Sequence, residues 1–325
     1  MIFTKIKLNY NIKLIDDLIN NENYKDVSNL IFNNRKDPSL FYGLIEHLHN
    51  KFFTKENVLN SFPHKFVWIT SYDKEDARPL NDFLSFYLRN NNNFALSDYS
   101  TILCEVMSKL KLSNIPKHID FNYVLSNSDI LQSIIMFHKN VDYYLLTTQS
   151  AFFEAQNNKF LIYPQTTLAF FSIFKNPLSL YSRYQQNSSN QQDVFNKIIN
   201  YNLDNEQNLI RSKGDYSVIE NKQSWGVHAQ SWMDENVKNT YRGKQILYED
   251  MVSSPYDTFL EVLYHLKQSG MSIDIDHNLI KSFIESYHFM DDPKDVNISN
   301  NDKKIISNSI DSYILKELNY NFDYK

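Results

Sequence analysis

The chain has 325 residues, enough to bury a substantial core, and its 42% apolar and 15% aromatic content marks a folded protein. A net charge of -5 excludes nucleic-acid binding through a generally basic surface and leaves room only for a local basic pocket. The single cysteine, Cys104, excludes an intrachain disulfide and a cysteine-based metal site, so a cytoplasmic setting is expected; no apolar run reaches the roughly eighteen residues of a membrane span.

Residues 1–62 read as helical throughout, because Leu14, Ile15, Leu18 and Ile19, then Val27, Leu30 and Ile31, then Phe41, Leu44, Ile45 and Leu48 keep helix spacing. Pro38 in Asp37-Pro38-Ser39 falls near the first turn of the third segment. This stretch is expected to form a helical appendage, with residues 63–325 as an α/β domain. The run Phe66-Val67-Trp68-Ile69 is a short buried strand, and Leu80, Phe83, Leu84, Tyr87 and Leu88 recur at helical spacing after Pro79. The intervening Ser71 to Arg78 has the layout of a phosphate-binding loop. It lacks glycine, however, and carries Glu75 and Asp76. One such acid about 4 Å from a phosphate oxygen costs roughly 4 kcal/mol at an effective dielectric of about 20.

Further helices are expected over Tyr99–Leu112 and Ser126–Phe137, and buried strands at Tyr143–Leu146 and Ala169–Phe174. Gln185 to Gln192 has no apolar period and reads as a loop or frayed helix, followed by a helix at Asn196–Tyr201. Trp225, His228 and Trp232 share one helical face and read as core. A strand at Gln245–Tyr248 and helices at Pro255–Lys267, His277–Tyr287 and Asp302–Leu318 complete the chain. Alternation of strands and helices implies a parallel sheet covered on both faces.

Five segments then fall in the order of the PAPS-dependent, cytosolic-type sulfotransferases, where PAPS is 3'-phosphoadenosine 5'-phosphosulfate. Phe66 to Lys74 resembles that family's first strand and donor loop, and Lys175-Asn176-Pro177-Leu178-Ser179 its R-N-P-x-D segment. Trp225 to Trp232 is similar to its W-x-x-H-x-x-x-W helix, Ile246-Leu247-Tyr248-Glu249-Asp250-Met251 to its strand ending in Y-E-D-L, and Leu315 to Tyr320 to its closing helix. The resemblance spans about Lys65 to Tyr320 and implies a P-loop-like, three-layer fold. It also implies transfer of a sulfuryl group from PAPS to a hydroxyl or amine of a glycan or small metabolite, without a metal.

The same resemblance places Lys74 on the donor's 5'-phosphate, and puts Arg78, Lys175, Ser182 and Arg183 around the donor. Lys74 reads equally as a solvated lysine pairing with Glu75 or Asp76, and Lys175 with Arg183 equally as surface cations. Gln149 stands where the family has its histidine base. It has no useful proton-accepting pKa, and holds an acceptor hydroxyl at most. Lys175 keeps the charge of the family's arginine without the bidentate fork, and the basic, glycine-containing lid has no counterpart between Phe289 and Asp302. Two functions follow: a divergent sulfotransferase, or an inactive relative acting as a binding or assembly module, with the N-terminal helices as a contact for a protein partner.

Overall fold

The computed structural model describes residues 2–53, 61–63, 65–89, 93–110, 115–139, 141–152, 154–155, 159–188, 190–199, 209–213, 215–220, 222–289, 298–320 and 322. In chain order these form α1 (Ile2–Asn20), α2 (Tyr24–Asn33), α3 (Pro38–Leu48) with a π turn at His49–Phe53, β1 (Lys65–Ser71), α4 (Lys74–Leu88), β2 (Phe94–Asp98), α5 (Tyr99–Leu110), β3 (His118–Ile119), α6 (Phe121–Ser126), α7 (Ser128–His138) and β4 (Tyr143–Thr148). The strands β5 (Glu154–Ala155), β6 (Lys159–Phe160) and β7 (Thr167–Phe174), the helices α8 (Pro177–Gln186) and α9 (Gln191–Ile198), and the strands β8 (Leu209–Lys213) and β9 (Tyr216–Glu220) follow. The chain continues through α10 (Trp225–Met233), α11 (Glu235–Tyr241), β10 (Gly243–Leu247), α12 (Tyr248–Ser253), α13 (Pro255–Gln268), α14 (His277–Ser286), α15 (Asn300–Asn308) and α16 (Ser312–Glu317).

Five strands pair in parallel in the order β10-β7-β1-β4-β2. The central β1 is flanked on both sides, which is why it reads as an unbroken apolar run. Its side chains alternate between two cores. Phe66 and Trp68 enter the one formed with α1–α3, α5, α7 and α10, while Val67 and Ile69 enter the one formed with α4, α13 and α14. The molecule is therefore a three-layer α/β structure with helices on both faces. The N-terminal helices rest on α7 through this shared apolar cluster: Phe62 meets Phe137 edge-on at 5.4 Å, and His49 Nε2 lies 2.7 Å from Asp129 Oδ2.

Chain order reverses about β1, with β4 and β2 on one side and β7 and β10 on the other. Such a reversal opens a crevice beyond the carboxyl ends of the strands. Tyr72, Gln149, Lys175 and Tyr248 follow the last residues of β1, β4, β7 and β10, so the crevice gathers side chains that are distant in sequence.

Several expectations are corrected. Helix α4 starts at Lys74, not after Pro79, because Asp73 caps it by accepting from the Glu75 N–H at 3.0 Å, and Glu75 and Asp76 suit the positive end of the helix dipole. Pro79 is thus inside the helix, where its missing N–H removes one ladder bond. The stretch expected to be one helix at Asp302–Leu318 is two, since Asp311 starts α16 by accepting from the Tyr313 N–H at 2.9 Å. Gln185–Gln192 is the junction of α8 and α9, and α9 begins at Gln191, five residues before the expected Asn196. Strand β2 and the small sheet β3-β9-β8 were not foreseen. The segment in which a lid is missing from the sequence lies, for residues 290–297, outside the described residues.

Candidate functional site

Two residues separate β1 from α4, and the second of them, Asp73, organises the turn. Besides capping the helix it accepts a hydrogen bond from Tyr184 Oη at 2.8 Å, and its Oδ2 lies 3.7 Å from Arg183 Nη1. Burial would raise its pKa, but the Glu75 N–H, Lys222, Tyr184 and Arg183 outweigh that and hold the carboxyl below the ordinary range. Replacing Asp73 by alanine is expected to cost about 1–2 kcal/mol of stability in urea denaturation, whereas asparagine, an equal N-cap, recovers most of it.

One turn into α4, Asp76 points inward and is only 1% exposed. Arg183 Nη2 donates to its Oδ1 at 2.7 Å, and Lys175 Nζ lies 3.8 Å from the same oxygen. Lys175 is itself 1% exposed, with its ammonium 3.9 Å from the centre of the Tyr248 ring. Next to it, Glu249 accepts from the Asn176 N–H at 2.8 Å and from Tyr320 Oη at 3.0 Å, tying β7, α12 and the C-terminal segment together. Burial raises the Asp76 pKa to about 6, against the opposing pull of Arg183 and Lys175. At neutral pH the carboxylate is ionised, and the β7 side of the crevice is a closed ion cluster of Asp73, Asp76, Lys175 and Arg183.

The expected donor residues therefore separate into two groups. Lys175 and Arg183 converge, but on Asp76, with Ser182 buried beside Arg183 on α8. Lys74 and Arg78 do not join them. The Lys74 side chain is 66% exposed with Nζ 3.9 Å from Glu75, and Arg78 is shared between Glu75 and Asp82, each at 3.6 Å. Gln149 is buried, donating through Nε2 to the Tyr72 carbonyl at 3.0 Å and through its backbone N–H to Glu220 Oε2 at 3.2 Å. Lys74 and Gln149 reach the same cavity on the β4 side, of about 260 Å³.

The sequence reading missed Tyr184 and Glu220. Glu220 had a signal: Tyr216, Val218 and Glu220 alternate inward along β9, so an acid stands at a core-facing position. Tyr184 had none, because its partner is 111 residues away. The aromatic helix α10 is scaffold. Trp232 Nε1 donates to the Ser150 carbonyl at 3.1 Å, Phe152 N–H donates to Ser231 Oγ at 2.9 Å, and burial pushes His228 down to about 3, so it is neutral against the Tyr72 ring.

Among the described residues no helix is long and apolar enough to cross a membrane, and no cluster of three or more His, Cys, Asp or Glu side chains is placed to hold a metal. No protein-family model matches the chain. No curated protein matches it either. Among solved structures the chain is similar to mouse sulfotransferase SULT7A1 complexed with PAP, at 16% sequence identity over 82% of each chain with a TM-score of 0.42.

Proposed function

We propose that this chain is a sulfotransferase-fold binding module whose donor-phosphate cradle is filled by its own Asp76 carboxylate. The reading rests on one observation: Asp76 sits in the first turn of α4, buried, and holds both cations that the family resemblance assigns to the donor, Arg183 at 2.7 Å and Lys175 at 3.8 Å. An arriving phosphate would meet a carboxylate already in possession of those charges and a turn with no glycine to let the backbone approach. PAPS does not suit this arrangement. Gln149 adds no base, since an amide has no useful proton-accepting pKa, and its Nε2 donates to the Tyr72 carbonyl. The transferase reading is favoured by Lys74 alone, which stands exposed beside a cavity large enough for a small acceptor.

Calorimetry with 3'-phosphoadenosine 5'-phosphate (PAP) tests the proposal. At pH 7.5 no binding is expected at about 1 mM, weaker than roughly -4 kcal/mol; a micromolar Kd would restore the transferase reading. The pH dependence adds a second check. The folded Asp76 pKa is raised from 3.8 to about 6, so the native state takes up this proton before the unfolded state does. Its contribution to stability is fully present below about 3.8 and is lost as pH rises through about 6. An Asp76→Asn variant is expected to lack this component of the slope in denaturation measured from pH 4 to 7, and an unchanged slope would contradict the assignment.

A further inference from the structure

At the end of the sheet opposite the crevice, the N-terminal helices meet the α/β domain around a cavity of about 590 Å³, within the usual range of small-molecule sites. Its place follows from the chain path. Helix α5 leaves the carboxyl end of β2 and runs back to Leu110, α7 ends at His138 just before β4, and the turn between α2 and α3 closes the other side. Phe32, Pro38, Leu110 and Val141 supply apolar surface, while Arg35, Lys36, Lys109 and Lys139 bring four cations to the wall. Among the described residues no acid lines it.

Part of this charge has a structural use. Helices α2, α5 and α7 all end here, and a cation complements the negative end of a helix dipole. Arg35 Nη1 donates to the Phe32 carbonyl at 2.9 Å with its guanidinium 3.6 Å from the centre of the Phe32 ring, and Lys109 pairs with Glu105 one turn earlier on α5. Lys36 is not explained in this way. It stands two residues before Pro38, at the positive end of α3, and neither it nor Lys139 has an ion-pair partner among the described residues. Asp37, the acid beside Lys36, is engaged as the α3 cap, accepting from the Leu40 N–H at 3.1 Å. The surplus charge is felt at His138, which also lines the cavity. Burial, then Lys109, Lys139 and Arg35, push its imidazole down to about 4 against the opposing pull of Glu105, so it is neutral at pH 7. Three cations thus converge on one ring in a chain of net charge -5, an arrangement of like charges that an anion relieves.

The two kinds of surface select the ligand together. Ion pairs at a partly exposed site contribute little by themselves, so a small hydrophilic anion gains too little to stay. An apolar body laid on Phe32, Pro38, Leu110 and Val141 supplies affinity in proportion to the area removed from water, and the cations decide which end faces them. One face of Phe32 is already covered by Arg35, which leaves little stacking platform and favours an aliphatic body.

We infer that this cavity binds an amphipathic organic anion, an aliphatic chain with an acidic head group. The site is separate from the crevice and stands whether or not the donor cradle is filled.

Calorimetry with sodium decanoate on the full chain at pH 7.5 tests it. Acetate and pyrophosphate, which lack the aliphatic body, and decyltrimethylammonium, which reverses the charge, are run beside it. Decanoate is expected to bind with a Kd on the order of 100 µM, and the other three not at about 1 mM. Lys109→Gln with Lys139→Gln should weaken decanoate about ten-fold, since each partly exposed ion pair contributes a factor of about two to five. Lys267→Gln with Lys281→Gln, the same charge change on α13 and α14, should leave its affinity unaltered. In NMR the ring protons of His138 should shift as decanoate is added. Absence of decanoate binding overturns the inference, as does equal binding of decyltrimethylammonium or an affinity that the two double variants lower alike. Sedimentation with phosphatidylglycerol vesicles separates a free acid from a membrane surface: a chain that follows the vesicles and ignores decanoate also overturns it.

Discussion

Asp76→Ala is expected to create an anion-binding site that the parent lacks, with little net change in stability at pH 7.5. Removing the carboxylate strands Arg183 and Lys175, which is costly, but it also ends the burial of an ionised group whose raised pKa sets it against the fold at that pH. Both cations stay in place, since Arg183 retains 20% side-chain exposure and Lys175 keeps the Tyr248 ring and the nearby Glu249. The stranded cations then behave as a cradle again. If PAP or pyrophosphate binds the variant with a Kd of about 10 µM, then about 1 mM of it adds roughly 2.7 kcal/mol of stability. Thermal denaturation reads this: a melting temperature that climbs with added anion in the variant but stays flat in the parent. A variant that is indifferent to anions would mean that Asp76 is a structural ion-pair partner and nothing more.

Gly243→Ala is expected to cost about 3 kcal/mol, the upper part of the range for overpacking, because the substitution has no space to enter. Gly243 begins β10 in register with Phe170 on β7, and a Cβ there would lie 2.2 Å from Phe170 Cζ. The ring cannot retreat: it is fully buried and packed on Trp232 at a centroid distance of 5.1 Å. Relief requires β10 to move away from β7, and β10 leads directly into Tyr248 and Glu249, which steady Lys175 and the chain at Asn176. Chemical denaturation checks the loss. A change below about 1 kcal/mol would mean that the β10–β7 edge yields easily, as well-tolerated core swaps do.

The central strands were legible because they are buried on both faces. Phe66–Ile69 and Tyr143–Leu146 are apolar without a break and Ala169–Phe174 is broken only by Ser172, and a run of that kind has few other uses. Strand β2 escaped notice for the opposite reason: Phe94–Asp98 is a half-exposed edge whose apolar residues, Phe94, Ala95 and Leu96, give way at once to Ser97 and Asp98. Glu75 and Asp76 were read as intruders in a phosphate loop. In the fold they occupy the first turn of a helix, where an acid is favourable, and Pro79 misled as a start signal because proline is so often one.

The site was legible in its parts and not in its pairing. Lys175 and Arg183 could be singled out through the family resemblance, and they meet because α8 begins two residues after Lys175 and carries Arg183 to the same carboxylate. That Asp76 turns inward to hold them depends on the helix phase set by Asp73, one hydrogen bond to a backbone N–H. The same limit hid Tyr184 and Glu220, whose partners lie 111 and 71 residues away, and the cavity assembled from β1, β4 and β2. Local pattern reports which face of an element is buried; it carries no record of which distant side chain will be found there.

The most direct test of the filled cradle is a crystal structure of the unmodified protein grown at pH 7.5 in millimolar PAP. The account predicts Asp76 still bonded to Arg183, Lys175 still beside it, and no nucleotide density at the start of α4. Phosphate oxygens held by the backbone N–H groups of residues 74–77, with the Asp76 carboxylate swung away from Arg183, would contradict it.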